Sequence, residues 1–236
     1  GQFMSVVTVD ECMLVDPDFN KILSATLEFC NERGYKAYHK RRHDGLMRNL
    51  IVRKGERTKE LLISIVTTTL ADFDDEAFKN MLLGLPLSNT IVGILHTYND
   101  NISDKVTCER LETIYGRDYY RESILGLQFN VSLYSFFQTN ISAVERLYTE
   151  ALEMIDDVEG KTVFDLYCGT GTITQALALK ARKAVGVEIV EDAVDAARAN
   201  AKLNGLDNCE FIAGDVLKVI DDLTDLPDVI VVDPPR

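Results

Sequence analysis

The sequence predicts an α/β protein in which a small α+β domain precedes a doubly wound parallel sheet. Three observations carry this prediction: mixed helix and strand patterns before residue 135, strict strand and helix alternation after it, and a glycine-rich turn directly after the first strand of the second half. We therefore expect two domains, 1–134 and 135–236. A chain of 236 residues that is 46% hydrophobic and 27% charged has room for two such cores.

The first half reads as helix, strand, strand, helix and strand. Apolar residues recur at helical spacing after Pro17 and stop before Gly34, which is typical of a glycine-terminated helix. Residues 49–54 and 60–67 are rich in β-formers and are joined by a hairpin-type link. Residues 75–85 then predict a helix and 90–98 a third strand. With short β segments between 106 and 131, we expect an antiparallel sheet.

The second half begins with a long amphipathic helix after Thr139. The predicted strands are 162–166, 183–187, 209–212 and 228–232, and the helices between them are about 171–180, 191–203 and 215–221. Such alternation predicts a parallel sheet with right-handed crossovers. Because the chain stops at Arg236, just after the fourth strand, we expect a fragment or a shortened form that lacks further strands.

Charge is distributed unevenly along the chain. The formal net charge of −13 argues against a polyanionic partner, since binding phosphates requires Lys and Arg. Residues 33–59, however, combine ten basic side chains with tyrosines and histidines, a mixture that suits a nucleic-acid surface. The candidate RNA-binding residues are Lys40, Arg41, Arg42 and Arg48. A solvated helix end and hairpin is the alternative interpretation.

Neither a membrane span nor a disulfide framework is indicated. No apolar run approaches the roughly 18 residues that cross a bilayer, and the first residues do not resemble a signal peptide. The five cysteines form no Cys-x-x-Cys pair, which argues against structural disulfides and against a self-contained zinc site. We expect a cytoplasmic protein, monomeric and without a membrane partner.

The glycine turn, Asp165-Leu166-Tyr167-Cys168-Gly169-Thr170-Gly171, predicts a ligand site. Gly169 and Gly171 let the backbone approach a ligand closely, and the helix that follows offers free N–H groups. A pyrophosphate or the carboxylate of a methionine would fit such a turn. Two details favour S-adenosylmethionine: Thr174 stands where the dinucleotide fingerprint has its third glycine, and Asp165 would repel pyrophosphate but attract an ammonium group.

Acidic residues follow the other predicted strands. Glu188 lies about 20 residues beyond the turn, where a carboxylate accepts both ribose hydroxyls. Asp215 is placed to meet the adenine amino group, Tyr167 to pack near the adenosine, and Asp233 ends the fourth strand. Each of these residues alone would be an ordinary polar strand end. Their occurrence in register favours a nucleoside site over a sheet that binds nothing.

Five segments in order carry a family resemblance. They are Ser135-Phe136-Phe137-Gln138-Thr139-Asn140, Asp165-Leu166-Tyr167-Cys168-Gly169-Thr170-Gly171, Gly186-Val187-Glu188-Ile189-Val190, Asn200-Ala201-Lys202-Leu203-Asn204-Gly205 and Asp233-Pro234-Pro235-Arg236. With them the chain resembles the RNA (uracil-5-)-methyltransferases, nearest the 23S ribosomal RNA branch. The resemblance implies a Rossmann-like class I methyltransferase sheet, C-terminally incomplete with its first four strands, preceded by a central α+β domain that contacts RNA.

The resemblance also implies roles for single residues. It makes Gln138, Tyr167, Glu188 and Asp233 donor-binding positions. Without it, Gln138 would be interpreted as a helix-entry residue, and Phe136 and Phe137 as core. Cys12 matches the fourth ligand of a 4Fe–4S cluster whose other three cysteines lie upstream, so it would hold a cluster in the full-length protein only.

For the reaction, the resemblance implies that a thiolate adds to carbon 6 of uracil, that carbon 5 then takes the methyl group, and that a base removes the carbon 5 proton. The family's nucleophile and base both follow the Asp-Pro-Pro-Arg segment, so we expect no catalytic residue before Arg236, and an inactive fragment that binds its donor weakly. Cys168 belongs to the donor loop and is rejected as a substitute nucleophile.

Three other functions stay open. A transfer RNA uracil-5-methyltransferase would share the donor motifs, but the basic first half and the Cys12 segment favour ribosomal RNA. A non-catalytic RNA-binding or donor-binding protein of the same fold is the second. A dinucleotide oxidoreductase is the third, and Thr174 disfavours it. Arg236 follows Asp-Pro-Pro where amino-group methyltransferases usually have an aromatic residue, which favours a ring carbon as the target.

Overall fold

A computed structural model describes residues 11–103, 106–155, 158–220 and 226–234. The chain divides into two compact units. The first comprises the described residues of Gly1–Lys54 and Lys59–Tyr120, and the second those of Gly55–Thr58 and Arg121–Arg236. The expected domain boundary at residue 134 stays a prediction.

The first unit packs two helices on a four-stranded sheet. Its elements are α1 (Pro17–Glu32), β1 (Met47–Lys54), β2 (Glu60–Thr67), α2 (Asp75–Leu83), β3 (Thr90–Tyr98) and β4 (Arg110–Gly116). Helix α1 begins where Asp16 caps the N–H of Asp18 and Pro17 fixes the first turn, and Gly34 follows it with a φ of 68°. The core comprises Ile22, Phe29, Leu61, Ile63, Ile65, Phe78, Leu82 and Ile94, all nearly inaccessible to solvent.

The expectation of an antiparallel sheet in this half is wrong for one strand pair. The order is β1-β2-β3-β4; β1 with β2 and β3 with β4 are antiparallel, but β2 and β3 run parallel, with Ile63 opposite Ile94. The connection between β2 and β3 contains α2, and a helical crossover of this kind returns the chain parallel to its start.

The second unit contains a hairpin and a parallel sheet. Its elements are β5 (Tyr119–Ile124), β6 (Leu127–Ser132), α3 (Ile141–Met154), β7 (Thr162–Leu166), α4 (Thr172–Ala178), β8 (Lys183–Glu188), α5 (Glu191–Leu203), β9 (Cys209–Ala213), α6 (Val216–Val219) and β10 (Val229–Val232). The division between the units falls within β5. The turn between β5 and β6 places Leu125 and Gly126 at φ values of 51° and 81°, as a tight two-residue hairpin requires.

The predicted parallel sheet is confirmed. Its order is β10-β7-β8-β9, and every neighbouring pair is parallel. Each of the four predicted strands is present, with ends that differ from the prediction by no more than one residue. All carboxyl ends therefore lie at one edge of the sheet. Because β7 has β8 on one side and β10 on the other, the chain reverses its direction of winding between β7 and β10, where such sheets bind ligands.

Alternation along β7 explains how the sheet is buried. Phe164 and Leu166 pack on one face, with Val185 and Val187 of β8. Val163 packs on the other face with Leu177 of the helix α4 region. Every residue of β7 is buried, as in a strand covered on both faces. Asp165 falls on the Val163 face, so its carboxylate is directed into the protein.

Among the described residues, no helix is both long and apolar enough to span a membrane.

Candidate ligand site at the carboxyl ends of the parallel strands

The loop after β7 has an unusual backbone. Tyr167, Gly169 and Gly171 all have positive φ values, of 68°, 53° and 75°. The N–H groups of Tyr167 and Cys168 both donate to the carbonyl of Val187, at 2.9 and 3.0 Å, which ties the loop to β8. A left-handed tyrosine costs about 1–3 kcal/mol, and such strain is concentrated at functional sites.

The two glycines of the loop serve different purposes. A Cβ at Gly171 would lie 2.6 Å from the Phe211 ring and 3.0 Å from the Cβ of Ala197, so Gly171 is required by packing. A Cβ at Gly169 would meet nothing within 4 Å. The backbone at Gly169 thus leaves open space that a ligand can approach.

Glu188 is oriented by two backbone groups. Its Oε2 accepts a hydrogen bond from the N–H of Gly169 at 3.1 Å, and its Oε1 accepts one from the N–H of Val190 at 3.0 Å. An ionised carboxylate has about four lone-pair sites, so acceptor capacity remains for two further donors. A fixed, half-buried carboxylate of this kind suits a pair of neighbouring hydroxyl groups.

Asp165 is buried, with 2% of its surface exposed, and accepts a 2.6 Å hydrogen bond from the Thr174 hydroxyl. Burial raises the pKa of Asp165 to about 6; the Thr174 hydrogen bonds lower it, and the charges of Asp233 and Glu188 raise it further. The partner of this carboxylate is therefore the side chain of Thr174, in the position where a dinucleotide fingerprint has glycine. An ammonium group as its partner stays a proposal.

Tyr148 lies beside the same edge, and its role was missed from the sequence, which placed it only on the apolar face of α3. Its hydroxyl is 3.3 Å from the Thr172 hydroxyl at the start of α4. Burial raises the pKa of Tyr148, the hydrogen bond to Thr172 lowers it, and the charges of Asp165 and Asp233 raise it. Because Thr172 directly follows Gly171, Tyr148 lies beside the start of α4 at the glycine loop. A tyrosine on a buried face, whose hydroxyl must find a partner, is the signal that was available.

Asp215 follows β9 and caps α6. Its Oδ1 accepts from the N–H of Leu217 at 3.1 Å, and the preceding Gly214 donates its N–H to the carbonyl of Glu188 at 2.9 Å. The ends of β8 and β9 are thereby joined. Together with Glu188, Asp165 and Asp233, Asp215 lies at the same edge of the sheet.

Gln138 lies in the segment between β6 and α3 and is half-buried. The residue before it, Phe137, packs on Phe129 of β6 with ring centroids 5.8 Å apart. Phe137 is 6% exposed and belongs to the core, whereas Phe136 is 79% exposed. An exposed aromatic beside Gln138 leaves a stacking surface open to solvent.

The predicted RNA-binding residues belong to the first unit and differ in what they contact. The Arg48 guanidinium donates to the carbonyls of Asn99 at 3.0 Å and Ser103 at 2.8 Å, so it fastens a loop. Arg42 pairs with Asp44 at 3.1 Å. Lys40 and Arg41 are exposed in the turn that closes between His39 and Asp44.

The described cysteines do not form a cofactor site. Cys12 is exposed, and its backbone exchanges hydrogen bonds with the Asn20 side chain at 3.0 and 3.2 Å. Within the described ranges, no group of three or more His, Cys, Asp or Glu residues could hold a metal ion. Cys12 as the fourth ligand of a cluster completed by upstream cysteines stays a prediction. Burial raises the pKa of Cys168 far above its usual range, which disfavours the thiolate form that a nucleophile needs.

Residues 157–233, which contain the parallel sheet and its strand-end site, match the family model described as a methyltransferase domain. The fold is that of S-adenosylmethionine-dependent methyltransferases. Over its whole length, moreover, the chain is related to proteins that are named RNA methyltransferases. It is 50% identical over 236 residues to an uncharacterized RNA methyltransferase of Caldanaerobacter subterraneus, covering 100% of this chain and 52% of the relative. It is also 47% identical to an uncharacterized RNA methyltransferase of Clostridium tetani, covering 100% of this chain and 52% of that relative.

A solved structure of an RNA methyltransferase is also similar to this chain. The tRNA (uracil-54, C5)-methyltransferase of Pyrococcus abyssi, in complex with S-adenosyl-L-homocysteine, is similar with a TM-score of 0.81 and 25% identity, covering 100% of this chain and 56% of that one. The chain thus spans about half the length of the curated relatives that it matches.

Proposed function

We propose that the natural protein containing this chain is an S-adenosylmethionine-dependent RNA methyltransferase that methylates carbon 5 of uracil in 23S ribosomal RNA. The observation that carries the proposal is the meeting of Gly169, Glu188 and Asp233 at one edge of a methyltransferase sheet. The relationship to proteins named RNA methyltransferases supports it.

The residues present fit the donor. Glu188 would accept the ribose hydroxyls, since both its oxygens are already held in place by backbone N–H groups. The open backbone at Gly169 would admit the methionine portion, and Asp215 would receive the adenine amino group. Tyr167, whose backbone is left-handed, would pack near the adenosine.

The charge of the site also favours this ligand over a dinucleotide. The charges of Asp233 and Glu188 both act on Asp165, so this edge of the sheet is acidic. A pyrophosphate would add two negative charges to it, whereas a sulfonium and an ammonium group would be attracted. S-adenosylmethionine supplies a methyl group bound to a positively charged sulfur.

Carbon 5 of uracil as the target is supported by the resemblance in five sequence segments and by the similarity to a uracil-54 methyltransferase. This chemistry needs a thiolate and a base, which the family takes from beyond the Asp-Pro-Pro-Arg segment. The site described above would supply the donor side, since the resemblance implies that Gln138 and Asp233 bind the donor. Carbon 5 of uracil would then take the methyl group from a donor that Glu188 holds in place.

The choice between two RNA substrates needs an experiment. The structural neighbour is named for its action on transfer RNA, which favours that substrate as the second candidate. The Cys12 segment and the basic stretch favour ribosomal RNA. The full-length protein should be incubated with radiolabelled S-adenosylmethionine and, in parallel, with unmodified 23S ribosomal RNA and total transfer RNA. We expect label in ribosomal RNA, recovered as 5-methyluridine after digestion. Label in transfer RNA alone would overturn the ribosomal assignment, and label in any other nucleoside would overturn the uracil assignment.

A further inference from the structure

Asn200 of α5 and Asn204, the C-cap residue directly after this helix, hold the edge of the β5–β6 hairpin, although neither lies at the strand ends described above. The Oδ1 of Asn204 accepts from the N–H of Gln128 at 2.8 Å, and its Nδ2 donates to the carbonyl of the same residue at 2.8 Å. Asn200 repeats this arrangement with Asn130, at 2.9 and 3.4 Å. Each side-chain amide therefore takes the place of one residue in a β-ladder.

The spacing of the two elements makes this match possible. Asn200 and Asn204 are four residues apart on a helix, a rise of about 6.0 Å, and Gln128 and Asn130 are two residues apart on a strand, a rise of about 6.7 Å. Alternate residues of a strand direct their N–H and C=O groups to the same side. The open edge of β6 is thus paired with α5, which satisfies groups that an edge strand otherwise leaves exposed.

The pairing reaches the glycine loop through one more side chain. The Nδ2 of Asn204 also donates to the Oε1 of Gln175 in α4, at 2.9 Å, and Gln175 is fully buried. The N–H of Gln175 in turn donates to the carbonyl of Gly171 at 3.0 Å. Asn200 itself is only 2% exposed. A partly buried chain of hydrogen bonds therefore links β6 to the loop that follows β7.

Strand β6 leads directly into the segment that holds Gln138. Within β6, Phe129 lies between the two anchored residues and packs on Phe137, the neighbour of Gln138. After this segment, α3 is joined to the start of α4 by the hydroxyl pair of Tyr148 and Thr172. Gln138 is therefore held between two attachments to the methyltransferase sheet, and the asparagine pair forms the first of them.

We propose that Asn200 and Asn204 are positioning residues for the methyl donor: by holding β6 on α5 they fix Gln138 relative to the glycine loop. The proposal rests on the proposed function, because it assumes that Gln138 contacts S-adenosylmethionine. The proposal explains the two asparagines of the Asn200-Ala201-Lys202-Leu203-Asn204-Gly205 segment, which was otherwise noted only for its family resemblance.

The test compares Asn204→Ala with Asn208→Ala in the full-length protein. Asn208 is a matched control, because its Nδ2 also donates to two backbone carbonyls, of Ala178 at 2.8 Å and Ala181 at 2.9 Å, but at the far end of α4. The affinity for S-adenosylhomocysteine is measured by calorimetry, with and without Gln138→Ala in the same chain. Hydrogen exchange across residues 128–140 is recorded for each variant.

We expect Asn204→Ala to weaken S-adenosylhomocysteine binding roughly tenfold, the equivalent of one displaced hydrogen bond, and to add nothing in the Gln138→Ala background. Asn208→Ala should change the affinity by less than about twofold, as a distant site does. Exchange at residues 128–140 should accelerate in Asn204→Ala and not in Asn208→Ala. Asn200→Ala should behave as Asn204→Ala does.

Two results would overturn the proposal in distinguishable ways. Equal affinity losses for Asn204→Ala and Asn208→Ala, or the same loss whether or not Gln138 is present, would show that the pair does not act through Gln138. A wild-type protein that binds no S-adenosylhomocysteine would instead overturn the proposed function, and the donor role of the pair with it.

Discussion

The backbone N–H of Gly169 donates a 3.1 Å hydrogen bond to the carboxylate of Glu188. This bond joins the glycine loop after β7 to the end of β8 and so holds the two parts of the candidate site together. It also fixes one oxygen of Glu188 and leaves lone pairs on both oxygens for a ligand.

Glu188→Gln should weaken S-adenosylhomocysteine binding by about 10- to 100-fold, because an amide offers one acceptor oxygen where the carboxylate offers two charged ones. Calorimetry measures the affinity. The thermal midpoint without ligand should also fall slightly, because one of the two backbone N–H groups that donate to Glu188 loses its acceptor. Glu191→Gln, three residues later in the exposed first turn of α5, removes the same charge and should bind normally. Equal losses in both variants would refute the role of Glu188.

Gly171→Ala should lower the free energy of unfolding by about 2–4 kcal/mol, because the new methyl group meets the Phe211 ring and the backbone is left-handed. Gly126 has a φ of 81° and open space around it, so Gly126→Ala should lower the free energy of unfolding only by the cost of a left-handed alanine, about 1–2 kcal/mol. Urea unfolding measures the difference between them.

Gly169→Ala separates binding from stability at the same loop. Its Cβ meets no protein atom within 4 Å, so its loss of stability should match that of Gly126→Ala. Its affinity for S-adenosylhomocysteine should fall sharply, since the methyl group occupies the space that we assign to the ligand. Normal binding by Gly169→Ala would place the ligand elsewhere.

Asp165→Asn should remove a pH dependence of stability. The pKa of Asp165 is raised to about 6 in the folded protein, above its unfolded value of 3.8, so the folded state binds more protons between these values. The contribution of this group is therefore fully present below about pH 4 and is lost as the pH rises through about 6, a change of about 3 kcal/mol at most. Thr174 can still donate to the amide oxygen of the variant.

The measurement for Asp165 is urea unfolding of wild type and Asp165→Asn at pH values from 4 to 7.5. The variant should gain stability relative to wild type as the pH rises through this window. Asp192→Asn, on the exposed first turn of α5, controls for the loss of one charge. A constant difference between wild type and Asp165→Asn would show that Asp165 does not titrate there.

Arg41→Ala should weaken RNA binding without affecting stability, because Arg41 is exposed in the 39–44 turn. The slope of log affinity against log salt should fall by about one for the lost phosphate contact. Lys180→Ala, an exposed charge after α4, should leave the slope unchanged. Arg48→Ala should instead destabilise the protein, since Arg48 holds the carbonyls of Asn99 and Ser103. An unchanged slope in Arg41→Ala would move the RNA surface elsewhere.

The sequence predicts the parallel sheet well because each of its strands is a short apolar run that ends in glycine or an acidic residue. Glu188, Gly214 and Asp233 mark three of these ends directly, and β7 is followed by Gly169 three residues after its last residue. The parallel pairing of β2 with β3 was not predicted, because a period-2 pattern is the same for either direction of pairing.

Side-chain direction was harder to predict. That Asp165 faces Thr174 follows from the alternation along β7, which depends on knowing which face of the strand meets α4. Phe136 and Phe137 are adjacent and chemically identical, yet only Phe137 packs on Phe129. Tyr148 approaches the acidic edge through the placement of α3, which no local pattern encodes.

A crystal structure of the full-length protein with S-adenosylhomocysteine tests the central claim most directly. We predict that both ribose hydroxyls lie within hydrogen-bonding distance of the Glu188 carboxylate and that the methionine portion crosses the backbone of Gly169. A nucleoside bound away from Glu188, or at the opposite edge of the sheet, would contradict the account.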